Sequence, residues 1–194
     1  METCKTLPKS YADNLLACIE LERSQVLSRL IKIVSVVLLL ALFGLGCLML
    51  PPEELTAMSD PFEHLVVLML GLMAVMLLRE LVRGILMRIF SGVKPIIRYA
   101  GAYPHAGCEA YFGRVQEWII CLAPIAVILV FSVVLMLNMP DASWKWMIYI
   151  ILVVGVCNCV GDLYMAARLT AFPEDVLVCN VGPSYLVYGP KKKK

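Results

Sequence analysis

Leu65-Val66-Val67-Leu68-Met69-Leu70-Gly71-Leu72-Met73-Ala74-Val75-Met76-Leu77-Leu78 is an unbroken apolar run, and it ends in Arg79-Glu80-Leu81-Val82-Arg83-Gly84. A helix rises about 1.5 Å per residue and a hydrocarbon core takes about 20 apolar residues. With Ser59-Asp60-Pro61 ahead of it as N-cap and first helical proline, the segment 63–84 is long enough to cross a bilayer. Three further segments, near 31–50, 118–138 and 144–168, meet the same criterion. The third contains Pro124, which neighbouring helices can accommodate, and the fourth opens on Trp144 and Trp146, residues suited to a membrane interface.

Composition agrees with that pattern. Of 194 residues 61% are hydrophobic and 16% charged, and the mean hydropathy is +0.83, well above a soluble domain of this length. A net charge of +2 with no basic stripe among aromatics excludes nucleic acid as a partner. The first apolar run begins only after Leu30, behind a polar stretch from Lys5 to Lys32, so it reads as an anchor and not as a cleaved leader. The eight cysteines are dispersed. Cys47, Cys121, Cys157 and Cys159 lie in apolar runs where a free thiol acts as a small hydrophobe, and Cys157-Asn158-Cys159 has no second Cys or His pair to complete a metal site.

Loop charge sets the expected orientation. Glu53, Glu54 and Asp60 lie between the first two spans without a basic residue, whereas Arg88, Lys94, Arg98 and Arg114 follow the second. The loop at Asp141 is again poor in positive charge and the tail ends in Lys191 to Lys194. Both termini are therefore expected in the cytoplasm, in a multi-pass protein of the cell membrane. Leu15, Leu16, Ile19, Val26, Leu27 and Leu30 recur at helical spacing among Glu20, Glu22, Arg23 and Arg29, which predicts an amphipathic interfacial helix. Residues 91–113, rich in Gly, Pro and Tyr, read as a loop or a short strand pair. The fold class expected is an all-α membrane protein with four transmembrane helices, an N-terminal amphipathic helix and a cytoplasmic loop of irregular or strand structure. Its divisions are a cytoplasmic segment 1–30, a transmembrane domain 31–190 and a polybasic tail 191–194. That tail suits attraction to anionic lipid or simple solubilisation, and Pro183, Tyr185 and Tyr188 suggest order ahead of it.

An ionisable residue within a span costs on the order of 3 kcal/mol when central, so a cluster there is a functional hypothesis by default. Arg79 and Arg83 share a helical face and Glu80 is turned about 100° from Arg79. Snorkelling to the headgroups accounts for Arg88. For Arg79 and Glu80 a second carboxylate offers another account: Asp162, in Asn158-Cys159-Val160-Gly161-Asp162-Leu163-Tyr164, sits at a similar expected depth in the fourth span.

These residues resemble a family. Leu7-Pro8-Lys9-Ser10-Tyr11, Arg79-Glu80-Leu81-Val82-Arg83-Gly84, Leu122-Ala123-Pro124, Gly161-Asp162-Leu163-Tyr164 and Phe172-Pro173-Glu174-Asp175 together are similar to the zincin peptidase family, small bacterial multi-pass membrane proteins with a likeness to site-2 intramembrane metalloproteases. The resemblance covers nearly all of the chain, and its weight lies in the order and spacing of motifs that are individually short. It implies a His-Glu-x-x-His-Gly motif on the second span, where two imidazoles one turn apart bind zinc and the glutamate takes a proton from metal-bound water. Glu80 keeps the position of the general base and Asp162 takes the position assigned to a third ligand, but both histidine positions are arginine.

Arginine stays protonated and has no lone pair for a metal. Arg79 and Arg83 are expected to neutralise Glu80 and Asp162, with Asn158 nearby in a vestigial site that holds no metal, whereas zinc is expected in relatives. Of the two histidines, His64 is about four turns from Glu80, and His105 in Pro104-His105-Ala106-Gly107-Cys108 lacks a partner at ligand spacing. The reading that follows is a zincin-like pseudoenzyme that binds a membrane protein or peptide within the lipid bilayer. Two alternatives stand beside it. One is an active metalloprotease with atypical ligands such as His105, Cys159 and Asp162; the other is a small carrier or channel subunit using Arg79, Glu80 and Asp162.

Overall fold

The computed structural model describes residues 7–8, 11, 14–21, 24–53, 61–100, 103–182 and 184–190, with backbone alone at 61, 98–100, 103 and 104. Within these lie five helices, α1 (Gln25–Met49), α2 (Pro61–Ser91), α3 (Arg114–Asn138), α4 (Ala142–Asn158) and α5 (Val160–Leu169). Six strands accompany them: β1 (Leu15–Glu20), β2 (Ile96–Ala100), β3 (Tyr103–Gly107), β4 (Tyr111–Gly113), β5 (Leu177–Asn180) and β6 (Ser184–Tyr188). Three helices, α1, α2 and α3, are long and apolar enough to cross a membrane, and α4 with α5 makes a fourth if that broken pair counts as one span. The polybasic tail and the cap at Ser59-Asp60 lie outside the described residues.

The chain forms two compact units. One comprises residues 31–79 and 124–160 and has helices but no strand among the described residues. Close helix approach holds it together. A side chain at Gly46 would run into Tyr149, and a Cβ at Gly155 would come within 2.7 Å of Val75. Interhelical hydrogen bonds reach backbone carbonyls: Tyr149 donates to Leu42 at 2.6 Å, Trp146 to Pro51 at 2.9 Å and Ser35 to Cys157 at 3.2 Å. Such donors are useful where water does not compete, since hydrophobic burial gives helices no driving force against lipid.

The other unit, residues 1–30, 80–123 and 161–194, mixes helix and sheet. Its antiparallel sheet runs β1-β6-β5-β4, and β2 and β3 make a separate hairpin. Ile19, Val178, Tyr185 and Val187 from the sheet pack with Cys121 of α3 and with Met165 and Leu169 of α5 in one buried cluster. A second cluster joins Met87 of α2 to Cys108, Ala110, Phe112 and Ile120. Gly92 ends α2 with φ 66°, its N–H bonded to Arg88 O at 2.8 Å, a left-handed cap that costs glycine little. The hairpin is the strand pair expected within 91–113.

Three expectations are corrected. The predicted amphipathic helix before the first span is strand β1 followed, from Gln25, by the start of α1. Leu15, Leu16 and Ile19 fit a helical period, but β1 has a partner far along the chain, pairing Cys18 with Leu186 and Glu20 with Ser184, and that ladder overrides local spacing. The fold is accordingly mostly helical with antiparallel strands and not all-α. The fourth segment, read as one helix over 144–168, breaks at Cys159, whose φ of −88° and ψ of 2° end α4 before α5 begins at Val160.

Candidate functional site around Arg83

Arg83 lies near the C-terminal end of α2 and is 1% exposed. A guanidinium at that depth needs anions and acceptors around it. Its Nη2 donates to the Tyr185 hydroxyl at 2.8 Å. Its Nη1 is 3.5 Å from an Asp162 oxygen and 3.8 Å from a Glu80 oxygen. Helical spacing puts Glu80 three residues before Arg83 on α2. Asp162, 1% exposed, comes from the first turn of α5, where a carboxylate also suits the helix dipole. Tyr185 is an inward position of β6, and the alternation of that strand sends it to the core together with Val187.

Glu80 is further held by the hairpin: the Ala106 N–H of β3 donates to its Oε2 at 2.7 Å. A glutamate fixed by a backbone donor on one oxygen and by a buried cation beside the other is a positioned anion. Burial pushes the Tyr185 phenol well above its ordinary pKa, against the opposing pull of Arg83, so Tyr185 keeps its proton and accepts from the guanidinium.

Residues that the sequence reading passed over complete the cluster. Glu117, in the first turn of α3, is fully buried, and its Oε1 accepts from the Asn180 side chain at 2.7 Å and from the Cys121 thiol at 3.9 Å. Asn180 on β5 is likewise buried, and its Oδ1 accepts from Gly182 N–H at 3.1 Å, which fixes the amide so that its NH₂ faces Glu117. Glu117 was legible as a lone acid leading into Trp118-Ile119-Ile120; Asn180 and Tyr185 had no such signal. They matter only because β5 and β6 return to α2 and α3.

The other residues singled out from the sequence are placed differently. Arg79 is half-buried on α2 and Asn158 is exposed at the last residue of α4; both belong to the helical unit, whereas Glu80, Arg83 and Asp162 share the mixed one. His64 is buried and stacks on Trp144 with centroids 4.7 Å apart. His105 sits on β3 opposite Arg98, next to the residue that holds Glu80. Cys159 is buried at the end of α4. Among the described residues no three of His, Cys, Asp and Glu come together as a metal site.

These side chains do not fit zinc. At positions 79 and 83, where the resemblance implies imidazoles, stand guanidinium groups, which cannot donate to a metal. One of them, Arg83, lies against both carboxylates that a cation would be drawn to.

Fold and site together define an apolar multi-helix protein with a buried Glu-x-x-Arg cluster closed by an aspartate from a second helix. The chain belongs to the family described as "Putative zincin peptidase", whose sequence profile matches residues 72–177. The matched range contains Glu80, Arg83, Glu117 and Asp162 and stops short of Asn180 and Tyr185. Searches of curated proteins and of solved structures find no match.

Proposed function

We propose that this chain is a catalytically silent member of its family, a membrane-embedded binding or regulatory subunit in which Arg83 takes the charge role that zinc has in relatives. The observation that carries this reading is the Arg83 guanidinium, buried and within 3.5 Å of Asp162 and 3.8 Å of Glu80. A permanent cation on the general-base glutamate neutralises it and supplies neither a Lewis acid nor an activated water. What remains is a scaffold whose partner is a membrane protein or peptide, with both termini in the cytoplasm as loop charge suggests.

The test is metal analysis of the full chain purified in detergent after equilibration with zinc. Wild type should carry no stoichiometric zinc, and a R79H/R83H double variant, which restores two imidazoles one turn apart with Glu80 between them, should acquire it. Zinc bound by wild type in one-to-one ratio and lost from Glu80→Gln or Asp162→Asn would overturn the proposal. Orientation is checked separately by labelling single cysteines placed near Glu53 and near Lys94 in intact cells: only the first should react with an impermeant maleimide.

A further inference from the structure

We infer that the edge of β1 turned away from β6 is a docking site for an extended peptide bearing an acidic side chain, which adds to the sheet as a fifth strand. Among the described residues the sheet order places β1 at one end, paired with β6 on one side. Beside it runs a groove of about 630 Å³ lined by Ala17, Cys18, Ile19 and Glu20 of β1, Ser24 and Leu27 of the chain leading into and along α1, and Tyr164 and Arg168 of α5. Side chains of consecutive strand residues point to opposite faces. A groove touched by four residues in succession therefore borders the strand's edge and not one of its faces, and the other edge is occupied by β6.

An open edge presents a row of backbone donors and acceptors, and strand addition is the general way in which such a row is used by a partner. The far wall chooses the occupant. Tyr164 and Leu27 offer apolar contact, whereas Arg168 is exposed, with its guanidinium over the Phe172 ring at 5.9 Å and no carboxylate at ion-pair distance among the described residues. A carboxylate on the added strand, on the Arg168 side of the groove and away from Glu20 of β1, would complement it. The walls also argue against a second copy of this chain as the occupant: its own β1 is flanked by the same α1 and α5 residues, which would have to enter the groove with it. A segment without such flanking structure fits. The site uses none of the Arg83 cluster, so it stands or falls independently of the state of the metal position.

Cys18, exposed on β1, reports occupancy without any engineering. The full chain in detergent is mixed with the blocked peptide Thr-Val-Glu-Val-Thr-Val, and maleimide alkylation of Cys18 is followed by mass spectrometry. The peptide should slow alkylation in a saturable way, while the same peptide N-methylated at alternate amides should not. Arg168→Glu should weaken the acidic peptide by about fivefold and restore binding to a peptide with Lys in place of Glu. An alkylation rate unaffected by the peptide, or equal protection by the N-methylated form, overturns the proposal. So does protection by phosphatidylglycerol vesicles in place of peptide, which would make Arg168 a lipid contact.

Discussion

Arg83 is among the largest fully buried side chains and carries a permanent charge. Breaking a buried ion pair from one side leaves the remaining charges uncompensated, at a cost of about 3–5 kcal/mol. Arg83→Met should therefore lower the thermal midpoint and accumulation of the protein severely, whereas the double change Arg83→Met with Asp162→Leu should recover part of the loss because it removes one of the two carboxylates left without their cation. Tyr185→Phe deletes only the acceptor of the 2.8 Å bond and should cost about 1–3 kcal/mol, since a buried guanidinium N–H is left without it. Tyr185 also gives a pH dependence with a definite sign. Its folded pKa is raised by burial, so the stabilisation it brings is complete below the unfolded value near 10 and is lost as pH rises beyond that. Thermal melts should fall above about pH 10, and the fall should be shallower in Tyr185→Phe; an unchanged slope would mean that Tyr185 is not the group titrating.

At the scale of elements, β6 links the sheet to the cluster. It pairs with β1 on one side and β5 on the other, and it carries Tyr185 inward. A stop after Val181 should remove β6, one of the two inner strands of the four, release β1 and expose Arg83; alkylation of Cys121, buried in the intact chain, should become faster than in wild type. The helical unit is sensitive to volume instead of charge. Gly155→Leu puts a branched side chain where a Cβ alone meets Val75 at 2.7 Å, and overpacking of that kind costs about 1–3 kcal/mol. Gly155 belongs to the helical unit and Cys18 to the mixed one, and alkylation of Cys18 on β1 should be unchanged in this variant. A matching rise in Cys18 reactivity would show that the two units unfold together.

For the whole molecule, membership in the peptidase family and the chemistry of the site point in different directions. The family match spans residues 72–177, and within that range the Arg83 guanidinium lies against Glu80 and Asp162. Zinc content of wild type against the R79H/R83H variant decides between a silent scaffold and an enzyme with ligands of another kind.

The apolar runs, the class of the protein and the family were legible in the sequence, because hydrophobic length and motif spacing are local properties of the chain. The Gly, Pro and Tyr content of 91–113 excluded a span there and left a loop or a strand pair, between which the β2–β3 pairing decided. Strand β1 was not legible: Leu15 to Glu20 satisfies a helical period as well as a strand, and the choice was made by Ser184 to Tyr188, far along the chain. The break at Cys159 was not legible either, since Gly161 two residues on is a lone glycine of the kind a continuous helix tolerates. Around the site, sequence singled out Glu80, Arg83 and Asp162 as charges too costly to be idle in an apolar helix. Only the tertiary structure brought Tyr185, Asn180 and Glu117 to them, since polar residues in a strand or at a helix start are ordinary until folding buries them against a charge.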